Sequence, residues 1–386
     1  MRIHVGVCGI GFGHSSRSLH VVKKLLEHGY EVSVSTYGEA VNFFLRHGIP
    51  VNRVTSVKYG VAENGSVSVK RTLAENILLP LTLASQVLEE YNLIGEETDL
   101  VISDTRASTL LAAKMKRKPV ILILNQFNIS LETEKHKKIA RILEPLVQAP
   151  AKVWEVADAL AIPDLPPPYT ISLRTLNLPE KLKDKTFYVG PLSPKPPTVD
   201  REEVRERLGI EEDELVLLAH ISGPRKEREE LIKKLTELAK KLDKGRRFIV
   251  TSGNPDGREI KREGNIIIFD WYENIHELFS ACDLVISRAG LSVIHTCILH
   301  GRRMLLIPIP QHGEQVGNAY RVQQLGLGKT LEESKLSEET FREAINELEN
   351  EAEEFGKNIL EVKRLAESLE GVDKVLEILH KLLKAI

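Results

Sequence analysis

Short runs of valine, isoleucine and leucine alternate with stretches of helical period along this chain, and that alternation constrains the fold more than any single motif does. IHVGV leads into SRSLHVVKKLLEHG, LVIS leads into TRASTLLAAKMKRK, and PVILIL follows. Strands this apolar need cover on both faces, and the helical segments between them suit crossover connections. The pattern therefore predicts an α/β fold built on parallel sheets. In the first crossover, Leu19, Val22, Leu25 and Leu26 predict one apolar face, with Ser15 or Ser16 as N-cap and Gly29 as the stop.

The pattern breaks between Ile162 and Thr198, where PDLPPPY and YVGPLSPKPPT concentrate proline. A second alternating series then runs through LVLLAHIS, RFIVTSG, NIIIFD, DLVIS and RRMLLIPIP. Two Rossmann-like domains are expected, residues 1–189 and 200–370, joined by a stiff linker over 190–199. The segment 371–386 is apolar enough to dock back on the first domain. Two such domains side by side would face each other across a cleft. No fixed-period repeat is visible, which excludes a solenoid.

Composition narrows the class. With 386 residues and a formal net charge of -2, the chain has cores to bury and no basic stripe for nucleic acid. Cys8, Cys282 and Cys297 form neither a metal-ligand spacing nor an even set, so no zinc site or disulfide framework is indicated, and a reducing cytoplasm fits. The first strand pattern begins at Ile3 with no secretory leader ahead of it, and no apolar run reaches membrane-spanning length.

Chemistry concentrates first in CGIGFGHSSRS, Cys8 to Ser18. Gly9, Gly11 and Gly13 alternate, but a dinucleotide loop would carry its last glycine where His14 stands, and EVSVSTYGE ends without a clear acidic residue for an adenosine ribose. A histidine at a helix N-terminus meets the positive end of the macrodipole, which disfavours the imidazolium, and neutral imidazole is a competent general base. Capping the turn or binding an anion is the alternative. Asp104 closes the LVIS strand at the sheet edge where ligands gather, placed to accept the other ring N–H of His14 or to cap the helix starting near Thr105. Ser15 and Arg17 share the His14 loop as candidate substrate contacts.

In HISGPRKERE, Ser222 and Gly223 stand where a strand gives way to a helix, with Arg225 and Lys226 beside them, a set suited to a diphosphate. FDWYENIHELFSACD places Asp270, Trp271 and Tyr272 at a strand end, where the rings either stack on a flat base or simply pack at a domain edge. Arg288, Ala289, Gly290, Leu291 and Ser292 make a small-residue turn at a helix start, a ready anion site. Gln311, His312, Glu314, Gln315 and Asn318 follow a strand that ends in prolines. Hydrogen-bonding groups of that kind suit a polyol, and beside an anion site they imply a nucleotide sugar.

Taken in order, GIGFGHSSRS, VISD, YVGP, ISG, DLVISRAGLS and EQVGNA resemble the MurG-type and related UDP-dependent glycosyltransferases of the two-domain GT-B fold, closest to an archaeal-type branch. The resemblance spans Gly9 to Asn318. It implies a metal-independent hexosyltransferase with no resident cofactor: a UDP-sugar donor bound mainly by the second domain, and an acceptor hydroxyl bound by the first. His14 would be the base, in a loop formed with Gly11 and Gly13, and Asp104 would match the aspartate that activates it. Ser222, Gly223 and the Ala289–Ser292 turn would hold the diphosphate, with Arg225 and Arg288 absorbing its charge. Asp270, Trp271 and Tyr272 would frame the base, and Glu314 and Gln315 would read sugar hydroxyls with Asn318 behind. Where relatives supply a glutamate to the ribose this chain reads His295, Thr296, Cys297, which leaves the nucleotide open.

The acceptor implied is lipid-linked or a small molecule. The apolar stretch Ile77 to Leu88, with Lys70, Arg71 and the basic Lys114 to Lys118, reads either as a buried helix or as peripheral contact with the inner face of a membrane. A nucleotide-sugar hydrolase with a similar loop, a UDP-sugar epimerase and a non-catalytic nucleotide-sugar-binding protein are the rival readings.

Overall fold

The computed structural model describes residues 1–10, 12–57, 79–127, 152–193, 195–221, 225–254 and 257–384, without the side chains of 79–80 and 225–227. Gly11, Lys70, Arg71, Ser222, Gly223 and the side chain of Arg225 lie outside the described residues. The chain divides into two compact units, Met1–Pro194 with Leu369–Ile386, and Lys195–Ser368.

The first unit comprises β1 (Arg2–Val7), α1 (Phe12–Glu27), β2 (Glu31–Thr36), α2 (Glu39–Arg46), β3 (Asn52–Arg53), α3 (Leu79–Leu93), β4 (Thr98–Asp104), α4 (Ala107–Met115), β5 (Val120–Ile123), β6 (Ala159–Ile162) and β7 (Thr186–Tyr188). Its strands run in the order β3-β2-β1-β4-β5-β6-β7, each neighbouring pair parallel. Successive residues of a strand face opposite sides, and each side has its own core. Ile3, Val5, Leu100 and Ile102 pack with Leu19, Val22 and Leu25 of α1, and with Val375 and Leu379 near the C-terminus. Val101 and Leu122 pack on the other side with Ile94 and Leu110.

The second unit comprises α5 (Arg201–Leu208), β8 (Leu215–His220), α6 (Arg225–Ala239), β9 (Arg246–Thr251), β10 (Ile260–Glu263), β11 (Ile266–Phe269), α7 (Ile275–Ala281), β12 (Leu284–Ser287), α8 (Leu291–His300), β13 (Arg303–Leu306), α9 (Gly313–Gln324), β14 (Gly328–Thr330), α10 (Glu338–Asn350) and α11 (Ala352–Leu369). The strand order is β10-β11-β9-β8-β12-β13-β14, parallel except for the β10–β11 pair. The last helix, α12 (Gly371–Lys384), belongs to the first unit, where Val375, Leu376, Ile378 and Leu379 are buried.

Both sheets reverse direction at their centre, between β1 and β4 and between β8 and β12. Connections leave such a pair to opposite sides, so a crevice opens at the carboxyl ends of those strands. Backbone approach there is close: a Cβ on Gly9 would lie 2.0 Å from the carbonyl oxygen of Tyr37, and one on Gly6 would lie 2.1 Å from Thr109 Oγ1. Backbone cannot yield as a flexible side-chain tip can, so Gly9→Ala should cost about 1–3 kcal/mol or more. Urea unfolding followed through Trp154, the first unit's tryptophan, checks it in a Trp271→Phe background; an unchanged midpoint would contradict the packing.

The helices correct three details of the sequence reading. Helix α1 starts at Phe12, so Ser15 and Ser16 stand inside it, and neither is the N-cap. Ser15 is wholly buried, and its Oγ has no hydrogen-bond partner among the described residues. Val21 replaces Leu26 on the apolar face, because Leu26 is rotated outward and 44% exposed. Asp104 does not cap α4; Arg106 occupies that position. In the basic Lys114–Lys118 segment the three lysines are engaged within the unit: Lys114 pairs with Asp158 at 2.8 Å, Lys116 pairs with Glu96 at 3.4 Å and Lys118 binds the Glu96 carbonyl, while Arg117 is exposed. In α3, Gln86 and Glu90 point inward while Leu81 and Leu88 are exposed. Among the described residues no helix is long and apolar enough to cross a membrane.

Candidate active site

The first unit's candidate site assembles at the β1/β4 crevice. Because α1 begins at Phe12, His14, Arg17 and Ser18 follow the i, i+3, i+4 spacing that places residues on one helix face. That face meets the end of β4. His14 Nδ1 lies 2.9 Å from Asp104 Oδ1, Arg17 Nε donates to Oδ2 at 2.7 Å, Arg17 Nη2 donates to Oδ1, and Ser18 Oγ donates to Oδ2 at 2.7 Å. Thr105 Oγ1 lies 3.1 Å from Oδ1, and Arg17 Nη1 donates to Asn125 Oδ1 at 3.0 Å. Asp104 is fully buried, Arg17 is 8% exposed, and the His14 side chain is 23% exposed. Burial alone would raise the Asp104 carboxyl, but the Arg17 guanidinium, and then the His14 ring, outweigh it and hold the group well below the usual carboxylate range.

Two neighbours compete for Nδ1 of His14, and each asks for a different tautomer. Arg17 Nη2 lies 2.9 Å from His14 Nδ1 and also reaches Asp104 Oδ1 and, at 3.2 Å, Thr105 Oγ1. With a proton on Nδ1 the ring donates to Asp104 and carries its lone pair on Nε2; with Nδ1 bare it accepts from Arg17 instead. The expected pair of His14 and Asp104 is in contact, and Arg17, read from the sequence as a substrate contact, binds the same carboxylate. Gly13 is exposed in the first turn of α1, and Ser15 is buried behind it.

Sequence reasoning missed Ser18, Thr105 and Asn125. The HSSRS spacing carried a signal for Ser18, four residues after His14, once the helix start is known. Thr105 has φ +53°, a conformation a β-branched residue rarely takes. Its N–H donates to Ile123 O at 3.0 Å and its hydroxyl joins the carboxylate cluster. Nothing in VISDT announces that strain.

A second buried charge cluster lies nearby in the same unit. Glu90 of α3 accepts from Ser35 Oγ at 2.7 Å, lies 2.9 Å from His4 Nε2 and pairs with Arg106 at 2.8 Å. Burial raises its carboxyl, and Arg106, followed by His4 and Ser35, brings it down to about 2. In the second unit burial, reinforced by Arg228, pushes His220 down to about 4, and burial with the neighbouring His276 pushes His300 down to about 3. Each of these groups binds its proton more weakly folded than unfolded, so each contributes stability above its ordinary value that is lost as pH falls. The second unit should weaken first, from pH 6.5 downward through the histidines, and the first from pH 4.5 downward through Glu90. Urea midpoints measured across pH 7 to 4 with wild type and His300→Gln check the sign: the variant should show the shallower decline.

At the β8/β12 crevice, Ser287 Oγ donates to His220 O at 2.5 Å and ties the two strand ends together. Gly290 is the N-cap of α8, extended and without a side-chain cap, so the amides of Leu291 and Ser292 begin a helix that has no capping acceptor of its own. The turn is clamped from behind. Asn318 Nδ2, 1% exposed, donates to Ala289 O at 3.1 Å, and Arg288, 2% exposed, donates to Ile307 O at 3.1 Å and pairs with Glu333 at 2.5 Å. Arg288 and Asn318, read from the sequence as ligand contacts, thus support the turn from behind.

His312 is the N-cap of α9, accepting from the Gln315 N–H at 3.4 Å, and Gln315 Oε1 accepts from Ile309 N–H at 3.0 Å. Glu314 stands half-buried in the first turn of that helix, after Gln311 at φ +63°. Asp270 Oδ2 accepts from Glu259 N–H at 3.2 Å and organises its own loop. Trp271 is 44% exposed, and Tyr272 donates to Glu277 at 2.8 Å. His295 is buried, while Thr296 is half-buried and donates back to Ser292 O. All three cysteines are buried, and burial raises their thiols, Cys282 to about 12.

A sequence model described as glycosyl transferase family 1 matches residues 1–349. An uncharacterized glycosyltransferase of Methanosarcina acetivorans is 30% identical over 392 residues, spanning 99% of this chain and 98% of that protein. The UDP-N-acetylglucosamine--N-acetylmuramyl-(pentapeptide) pyrophosphoryl-undecaprenol N-acetylglucosamine transferase of Desulforamulus reducens is 24% identical over 217 residues, 52% of this chain and 58% of that protein. Among solved structures, the calicheamicin glycosyltransferase has the same fold at a TM-score of 0.70 and 17% identity, over 100% of this chain and 99% of that one. The chain belongs to glycosyl transferase family 1, and it is a glycosyltransferase built from two Rossmann-like domains of the GT-B fold.

Proposed function

We propose that this glycosyltransferase moves a hexosyl group from a nucleotide-diphosphate sugar, a UDP-sugar in the first instance, to an acceptor hydroxyl, without a metal and with His14 as general base. The observation that carries the reading is the contact of His14 Nδ1 with buried Asp104 at the β1/β4 crevice, which supports the Nδ1–H form with its basic lone pair on Nε2. In the reaction Nε2 takes the acceptor proton as its oxygen attacks the anomeric carbon, and the bond to the diphosphate breaks in the same displacement. The imidazolium so formed is held by Asp104. The uncapped start of α8 is the proposed seat of the diphosphate, where helix amides offset the leaving charge. Trp271 is proposed to stack on the nucleotide base and Glu314 to read sugar hydroxyls. The UDP-sugar and lipid-linked acceptor named for the Desulforamulus reducens relative make that pair the first substrates to try.

Purified protein incubated with a panel of nucleotide-diphosphate sugars tests the reading. UDP release that depends on an added acceptor and persists in EDTA is the expected result. Complete release with no acceptor would replace transfer by hydrolysis. A flat thermal-shift response to every UDP-sugar would remove the donor assignment, because a ligand bound to the folded state raises its stability by mass action.

A further inference from the structure

We propose that Arg17 is a positioning residue for His14, which orients Asp104, selects the Nδ1–H form of the ring and cancels the carboxylate charge that the ring would otherwise feel. Its catalytic consequence rests on His14 being the base, but the inference about the ring itself does not. The fork is bidentate, Nε to Oδ2 and Nη2 to Oδ1, with Nη1 on Asn125 and Nη2 also on Thr105. A guanidinium whose donors reach three different residues holds the carboxylate in one orientation. Arg17 Nη2 and Asp104 Oδ1 both lie 2.9 Å from Nδ1, so the ring meets one positive and one negative charge at equal range.

Among the described residues, the groups facing the ring come from two elements: Arg17 on α1 itself, and Asp104 with the Thr105 hydroxyl at the end of β4. Behind them Arg106 is paired with Glu90, and Cys8, at the end of β1, is a buried thiol kept neutral by its burial. A histidine facing aspartate alone is drawn toward the imidazolium. Here the Arg17 guanidinium stands beside that aspartate and opposes its pull on the ring.

Nitrogen-15 NMR of the His14 ring in the full chain tests this. The wild type should carry its proton on Nδ1. Arg17→Met should raise the His14 titration midpoint by about one pH unit or more, a tenfold change in its protonation equilibrium. Asp104→Asn should lower it, and the double variant, which buries no lone charge, should return it close to the wild-type value. Arg17→Lys keeps the charge without the fork, so it should hold the midpoint near wild type while lowering kcat with little change in KM. A wild-type ring protonated on Nε2, or a double variant displaced as far as either single one, would overturn the proposal, and both readings stand even where Arg17→Met does not fold. If the titrations behave as stated while His14→Ala retains full activity, the base assignment fails and the role of Arg17 in setting the ring survives.

Discussion

His14→Ala is expected to lower kcat by about 10²- to 10⁴-fold, the range that a positioned general base contributes. The loss should fall on the chemical step and not on the fold. His14 is partly exposed, and Asp104 keeps Arg17, Ser18 and Thr105 as partners when the ring is gone. Donor affinity should stay within a few-fold of wild type, since the proposed donor groups belong to the second unit. Steady-state kinetics at saturating donor, paired with calorimetric titration of the donor, separates the two quantities. A kcat near the wild-type value would remove His14 from the mechanism, and a parallel loss of donor binding would mark it as a binding residue.

Asp104→Ala is the change expected to damage the structure most. It leaves Arg17 buried with no carboxylate, and breaking one side of a buried ion pair costs about 3–5 kcal/mol. Natural domains hold only about 5–15 kcal/mol in all. The hydroxyl of Ser18 loses its acceptor as well. Unfolding of the first unit followed through Trp154, with Trp271 replaced by phenylalanine, should show a midpoint far below wild type. Asp104→Asn keeps the shape and an acceptor oxygen and should lose less. A loss under about 1 kcal/mol for the alanine variant would mean that Arg17 finds water or another acceptor.

Much of the architecture was legible before any coordinates. Strand runs with no polar alternation demand cover on both faces, and that demand produced the expectation of two parallel sheets wrapped by helices. His14 and Asp104 were legible as well, because both follow strands and strand ends at a switch point share one edge of the sheet. What the sequence hid was direction. Arg17, Arg288 and Asn318 lie in motifs that suit ligands, but their side chains turn inward to Asp104, Glu333 and the Ala289 carbonyl. A one-dimensional pattern gives spacing along the chain, and a start of α1 a few residues earlier than expected is enough to rotate Arg17 from solvent to core.

The amino-acid sequence determined by itself the two-unit α/β plan, the glycine-rich turn after β1 and the residue types at its mouth, because hydrophobic periodicity and turn chemistry are local. Tertiary structure alone decided what surrounds the His14 ring. That outcome depends on Arg17, Ser18, Asp104, Thr105 and Asn125, which come from three separate segments, sharing their hydrogen bonds in one buried volume. Buried charges must be paired, and only packing chooses the partner.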